Sequence, residues 1–595
     1  MSLSTDTTLA PSPVPTPSAT AHSLSQVRLW PAVVLLTIFW VLHFVVAALE
    51  KPYFFAFLYN LGSSLLLPLL FFGWWFFNRR LSLADRLYGF ALVVGGALIV
   101  KPLCHESLGG WIGLLMGGLG IVLTSWTIGL VVLKRMQLPY YRLASFLIIA
   151  LAWGQNALVR MDGLDGDLQS AVRWRWAPSA ERLFLEEQAK RANSETVATA
   201  PPLTAKPEDW VEFRGKDRAG VAYGTHIGIE WAKAPPKQVW RHRVGPAWSS
   251  VIVVGDRLFT QEQRGEKEAV VCYDASTGQE LWAHEDADRF FESVSGPGPR
   301  ATPTFADGNI YTLGARGLLN RLDAATGKLR WSHRITDETG TDAIPQWGYS
   351  GSPLVIDGLV IAFGGGKSDK NLLAYRVADG SLAWGVPAGG SSYSSPQSTA
   401  IAGQRQCLIL SDAGLTAVEP ATGNLLWKDG VNWPGAPRCV QPHLVEGNRL
   451  LVGTLDGGGV SLIDVNQANG AWSVVKRWAS VDLKPEFPDI VVHGGHVYGF
   501  DDGNFCCIDL EKGERCWKKG RYGRGQVILL ADQSYLLVLS EKGEVVLLSA
   551  TPEKQVELAR FQALNGKTWA PPVVVRGRLY VRNAEEMACY ELPGQ

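Results

Sequence analysis

The chain has no excess charge of either sign: 56 basic and 56 acidic side chains leave the formal net charge at zero. No basic field is available to hold the phosphates of a nucleic acid, which is excluded as a partner. Cysteine is scarce, with eight residues spread through the sequence. That excludes a scaffold built on disulfides. A Ser-His-Asp arrangement, a phosphate-binding loop and a zinc-protease motif are all missing. Long apolar runs stop before residue 200, and Gly and Pro become frequent beyond it. A chain of 595 residues is too long for one ordinary domain, and this shift in composition divides it.

Residues 1–26 are rich in Ser, Thr, Pro and Ala without an apolar run and read as a disordered tail. Residues 27–160 hold five apolar segments: Leu29–Leu49, Tyr53–Phe77, Leu87–Val100, Ser107–Leu133 and Leu143–Val159. They read as an all-α bundle in a lipid bilayer. The third has fourteen uncharged residues between Arg86 and Lys101. It crosses only if its flanking cations snorkel or it recruits Leu81–Ala84. Charges lie only at the ends of these segments, so no ion path is supported. Gly109, Gly113 and Gly117 in the fourth suit close packing within the bundle. Arg79, Arg80 and Arg86 mark the second loop, and Lys134, Arg135 and Arg142 the fourth. The first and third loops carry only Lys51 and Lys101. Loops rich in Lys and Arg stay in the cytoplasm. The N-terminus is then cytoplasmic, and everything after the fifth segment lies outside. No cleaved secretory signal is recognisable. Residues 161–209 form a connection, with a short helix expected within 178–193.

From residue 210 one pattern recurs. DASTGQELW (274–282) returns as DAATGKLRW (323–331), RVADGSLAW (376–384), EPATGNLLW (419–427) and DLEKGERCW (509–517), with looser copies ending at Trp478 and Phe561. An acidic residue followed by small polar residues and Gly makes a tight turn. The flanking residues alternate as strands, and the closing Trp can fill the gap between neighbouring units. Closing aromatics 39 to 53 residues apart fit propeller blades of four strands each. First strands number eight, near Val251, Pro303, Pro353, Pro396, Pro442, Ile490, Val527 and Pro572, while the last repeat ends after its third strand. KQVWRHRV (237–244) supplies the missing fourth strand from the front, closing an eight-bladed ring over residues 210–595.

WVEFRGKDRAG (210–220), GPRATPTFADGNIYTLG (298–314), WGYSGSPLV (347–355), YGFDDG (498–503) and WAPPVVVRGRLYVRNAE (569–585) resemble bacterial proteins with pyrroloquinoline-quinone (PQQ)-like repeats. That superfamily holds both PQQ alcohol dehydrogenases and the BamB assembly lipoproteins. The layout of helices before a propeller is similar to that of membrane-bound PQQ glucose dehydrogenases. The resemblance implies an all-β eight-bladed propeller behind a transmembrane bundle, set in a bacterial inner membrane and facing the periplasm. Two functions follow from it. The first is a binding or assembly platform that meets protein partners at the propeller face. The alternative is a PQQ- and calcium-dependent alcohol or sugar dehydrogenase that passes electrons to membrane quinone.

The enzyme reading needs oxygen ligands for calcium. Asp412, Asp456, Asp501, Asp502 and Glu541 are spread over several blades at turn positions and read mostly as turn formers. Cys506 and Cys507 lie within one strand, where neighbours face opposite ways, so no disulfide is expected between them. Cys507 shares its repeat position with Cys272 and Cys589, a core position. His493 and His496 flank a predicted hairpin turn and lack further ligands, so no metal site is expected. The first-strand alignment places Trp248, Arg300, Ser350, Tyr393, Cys439, Phe487, a residue near Arg524, and Trp569 at one ring position, with Tyr349 beside Ser350. Trp248, Arg300, Tyr349, Tyr393 and Trp569 are the candidate axial site, suited to stack on and neutralise a planar anion. The other reading of these side chains is that they plug the channel mouth.

Overall fold

The structure, a computed structural model, describes residues 27–48, 53–108, 110–134, 138–166, 169–191, 202–340, 344–430, 438–454 and 458–594. The tail at 1–26, Gly109 and Asp456 lie outside the described residues. The chain divides into two compact units. One comprises Met1–Met161 with Val172–Arg175, the other Asp162–Ala171 with Trp176–Gln595.

In the first unit the helices are Trp30–Ala48, Tyr53–Phe77, Leu83–Val100, Gly110–Leu114 continuing through a π-helical turn into Gly120–Val132, and Leu138–Leu158. Three stretches are long and apolar enough to cross a membrane, Phe57–Phe77, Leu83–Leu103 and Gly110–Val132, and Trp30–Val46 is a shorter apolar helix. The third segment gains length at its front. Ser82 caps the helix by accepting from the Asp85 N–H at 3.1 Å. Asp85 accepts from Tyr141 Oη at 2.5 Å and pairs with Arg142 at 2.6 Å. Of the glycine stripe marked in the sequence, Gly113 is tight, since a Cβ there would run into the Leu108 carbonyl, while Gly117 has open space; Gly118 and Gly129, outside the stripe, are also close-packed. A Cβ at either would lie 2.9 Å from Trp153 or 2.4 Å from Ile148.

The second unit holds the eight-bladed ring. Blade one spans 252–286, blade two 304–334, blade three 354–386, blade four 397–428, blade five 443–480, blade six 491–521 and blade seven 526–562. Blade eight joins Val573–Val575, Arg578–Arg582 and Glu586–Glu591 to Lys237–Arg243, with Cys589 opposite Trp240. The closure expected from KQVWRHRV is therefore observed. Short Val221–Ala222 adds a parallel strand inside blade seven.

The recurring turn explains how blades join. Asp274 Oδ1 accepts from the N–H groups of Ser276 and Thr277 at 2.9 Å. Gly278 follows at φ +71°, and a Cβ there would come within 2.7 Å of Trp240 from the preceding blade. Gly327 stands likewise 2.5 Å from Trp282, and the Trp282 Nε1 donates to Ala324 O at 3.2 Å. Glycine serves twice here: it takes the left-handed backbone and leaves a flat seat for the neighbouring indole. Blade five departs from the pattern because its outer strands, Gly459–Ala468 and Ala471–Ser480, meet at their own tip. Trp427 then bonds Gln406 within its own blade.

The residue before each first-strand Pro equivalent links the inner strands. Ser250 N–H donates to Thr302 Oγ1 at 3.1 Å, Thr302 N–H to Ser352 Oγ at 3.0 Å, and Ser352 N–H to Ser395 Oγ at 2.9 Å. Further round, Gln441 N–H donates to Asp489 Oδ2 at 3.2 Å, and Ser250 Oγ donates to Pro571 O at 2.7 Å.

The segment Trp210–Ala222 crosses the axis against these inner strands. Trp210 bridges Val253 of blade one, and Val211 O accepts from Phe305 N–H of blade two. Fully buried Arg218 donates to Ser352 O and Pro353 O at 3.1 and 2.7 Å. Arg214, equally buried, donates to Ile490 O at 2.6 Å and lies 3.4 Å from Asp489. Burial draws its pKa downward, with Asp489 opposing.

The connection at 161–209 is more structured than a linker. It holds the strands Val159–Leu164 and Ser170–Trp174, then the helix Ala180–Arg191 near its expected place. That helix lies on the propeller through Glu181, which pairs with Arg289 at 2.9 Å.

Candidate functional site

The loops feeding the inner strands bring part of the axial set together. The rings of Trp248 and Trp569 meet with centroids 4.8 Å apart, and Phe487 lies 5.0 Å from Trp569. Trp248 Nε1 donates to Ser295 O at 2.9 Å and Trp569 Nε1 to Glu541 Oε1 at 2.7 Å. Both indoles are thereby fixed in orientation. Arg300 joins them through loop 290–298. It donates to Ser295 Oγ at 2.8 Å, to Gly296 O at 2.9 Å and to Gly298 O, and pairs with Glu292 at 3.4 Å. Its guanidinium sits 4.5 Å from the Phe290 ring centroid. Burial pushes its pKa down to about 10 against the pull of Glu292 and Glu268. The charge of Arg300 is thus spent on its own loop.

Tyr393 stands half-buried against Trp347 at 5.2 Å. Tyr349 lies in the core between blades two and three, donating to Gly364 O at 3.1 Å. Burial pushes its hydroxyl up to about 12.

Sequence reasoning passed over Lys567, Glu292 and Glu486, and treated Glu541 as a turn former. Lys567 Nζ lies 5.0 Å from the Trp248 ring centroid and 4.3 Å from that of Trp569. Burial pushes its pKa down to about 8; Glu292, Glu541 and Asp165 oppose this, while Arg300 adds to it. Glu541 accepts from the Arg524 N–H at 3.0 Å besides Trp569. Arg524 reaches Glu486 at 2.6 Å and Asp502 at 3.1 Å. A lysine two residues ahead of a ring tryptophan, in GKTWAPP, was the available signal.

A turn of the connecting segment covers this mouth. Gly166 N–H donates to Glu541 Oε1 at 2.6 Å, Leu164 N–H donates to Val294 O at 2.8 Å, and Lys567 Nζ donates to Leu164 O at 3.0 Å and Val294 O at 3.3 Å.

The described residues do not fit a calcium–PQQ centre. Calcium takes six to eight oxygens, yet among the described residues no three His, Cys, Asp or Glu side chains converge. Asp501 is fully buried among Lys484, Lys518 and Arg515. Asp502 holds Arg524, and exposed Asp412 accepts from Ser391 N–H. The Glu541 carboxylate is already shared among an indole and two backbone amides. His493 bonds Ser534 and His496 bonds Gly494 O around a hairpin turn. Cys506 and Cys507 enter different core clusters, and neither forms a disulfide.

Comparison with known proteins places these observations in context. A family model described as the outer membrane protein assembly factor BamB matches residues 266–519. Assembly factor BamB of Yersinia pestis is 24% identical over 300 residues, covering 48% of this chain and 71% of that protein. The Shewanella oneidensis counterpart is 26% identical over 302 residues, covering 48% and 72%. Among solved structures, BamB from Moraxella catarrhalis superposes with a TM-score of 0.45 at 15% identity, over 60% of this chain and all of that one. Quinohemoprotein alcohol dehydrogenase from Comamonas testosteroni gives 0.45 at 14% identity, over 69% and 84%.

Proposed function

We propose that this chain, whose repeats are those of the PQQ-like β-propeller family, is a binding and assembly platform. Its helices anchor it in a bacterial inner membrane, and its propeller meets protein partners in the periplasm. The observation carrying this reading is the axial mouth. Its acids and cations bond one another and a length of backbone, which suits holding polypeptide. The relatives named as assembly factors support the same direction. The dehydrogenase alternative lacks a converging oxygen set in the described residues.

The test is a titration of the purified full chain with PQQ and Ca²⁺, followed by dye-linked oxidation of alcohols and sugars. We expect no turnover above the protein-free control. Turnover that depends on both PQQ and Ca²⁺ would overturn the platform reading in favour of the enzyme.

The orientation rests on the cations of the second and fourth loops. A reporter active only in the periplasm, fused after Gln595, is expected to be active. Activity of a cytoplasmic reporter at that position, with the periplasmic one silent, would reverse the topology.

A further inference from the structure

The turn at Gly163–Gly166 meets the propeller as a ligand meets a receptor. Three of its contacts with the mouth are made by backbone: two N–H groups donate to Glu541 and Val294, and one carbonyl accepts from Lys567. The turn also closes on itself, with Asp165 N–H donating to Gln169 O at 3.1 Å and Gln169 N–H to Asp165 Oδ1 at 2.8 Å. It therefore arrives with little conformational freedom left to lose. Both glycines sit where no side chain fits. At Gly163, φ +106°, a Cβ would lie 2.8 Å from Val294 O and 2.9 Å from Lys567 Nζ. At Gly166 it would lie 2.6 Å from Arg524 Cγ and 2.9 Å from Glu541 Oε2.

On the receptor side the groups are prearranged by bonds that do not involve the turn. Glu541 is held by Trp569 Nε1 and the Arg524 amide. Lys567 is placed over two indoles that contact each other. A buried ammonium with a lowered pKa needs oxygen partners to remain in such a place, and a backbone carbonyl supplies one.

We propose that the mouth formed by Trp248, Trp569, Lys567 and Glu541 is a receptor for a tight glycine-containing turn of polypeptide, and that the chain's own Gly163–Gly166 turn is its resident, displaceable occupant. The partner class is a loop with small residues three positions apart, as in Gly-Leu-Asp-Gly, whose backbone carbonyl meets Lys567 and whose amide meets Glu541. The tether gives the resident turn an effective concentration on the order of millimolar. A free partner must bind well enough to exceed this, so the site stays shut to weak peptides. The role of an outside partner rests on the platform reading; the seat itself does not.

The experiment uses the full chain in detergent and a fluorescent peptide covering residues 161–171. Wild type is expected to bind it weakly, because the seat is taken. The double variant Gly163→Val/Gly166→Leu cannot seat its own turn and is expected to bind the peptide at least about tenfold more tightly. A peptide carrying the same two substitutions should not bind, and Lys567→Met in the double variant should remove most of the gain. A double variant that melts like wild type yet binds the peptide no better would overturn the proposal.

Hydrogen exchange of wild type covers the case in which the variant does not fold. Millimolar unlabelled peptide, but not a scrambled one, should deprotect the chain's own 161–171 segment. Unchanged protection would likewise overturn the proposal. PQQ-dependent turnover would remove the platform reading while leaving the peptide result intact, so the two failures are distinguishable.

Discussion

Replacing Lys237–Arg243 with a Gly–Ser segment of equal length in the full chain is expected to unfold blade eight. That strand is the hydrogen-bonded outer neighbour of Glu586–Glu591. It carries Trp240, whose Nε1 donates to Ala275 O at 3.1 Å and whose ring lies on the Gly278 turn of blade one. It also carries Arg241, bidentate to Glu586 at 2.6 and 2.8 Å. Loss of a large buried aromatic costs about 3–5 kcal/mol, set against a net stability of about 5–15 kcal/mol for a folded domain. The replacement also leaves an open sheet edge. Thermal melting should drop steeply, and limited proteolysis should begin within 573–591. Trp240→Ala alone should produce the aromatic share of the loss. Melting and cleavage patterns equal to wild type would show that the ring does not depend on this strand.

Arg214→Met is expected to destabilise the propeller by about 3–5 kcal/mol at neutral pH, the scale for breaking one side of a buried ion pair. Asp489 would remain buried with His443 at 2.8 Å and the Ile490 and Gln441 amides as partners, without its guanidinium. In the wild type, burial pushes the Asp489 carboxyl up, but Arg214 and then His443 more than reverse this and hold it below the usual carboxylate range. Its folded pKa is therefore lower than its unfolded value. The stabilisation is complete above about pH 4, the ordinary carboxylate value, and is lost as pH falls through the folded pKa. Removing Arg214 raises that pKa. The gap in melting temperature between variant and wild type should be largest at pH 7 and shrink below about pH 4. A gap independent of pH would mean that Arg214 acts through its carbonyl contacts alone.

The blades, their count and the closure were readable because each depends on local chemistry. The Asp-x-x-x-Gly turn requires a carboxylate that accepts two amides and a residue at positive φ, as Asp274 and Gly278 show. The pairing of aromatic and turn was partly readable, since Trp was expected between blades. That its seat is the next blade's turn glycine is decided by tertiary packing.

The axial set was read from alignment, which gives position along a strand but not direction of a side chain. Trp248 and Trp569 share a register position and meet. Tyr349 stands one residue from that position and turns into the core. Arg300 occupies it and folds back on loop 290–298, because carbonyls two and four residues away satisfy a buried guanidinium sooner than a distant ligand does.

The sequence by itself determined the apolar helical half, the eight-bladed ring and its closing strand, because periodicity and turn chemistry are properties of neighbouring residues. Only the tertiary structure decided what sits on the axis. Arg214 and Arg218 bond carbonyls of blades far along the chain, and Gly166 bonds Glu541 across 375 residues. Such contacts are set by a ring that brings eight inner strands to one place, and no local pattern encodes which backbone will be waiting there.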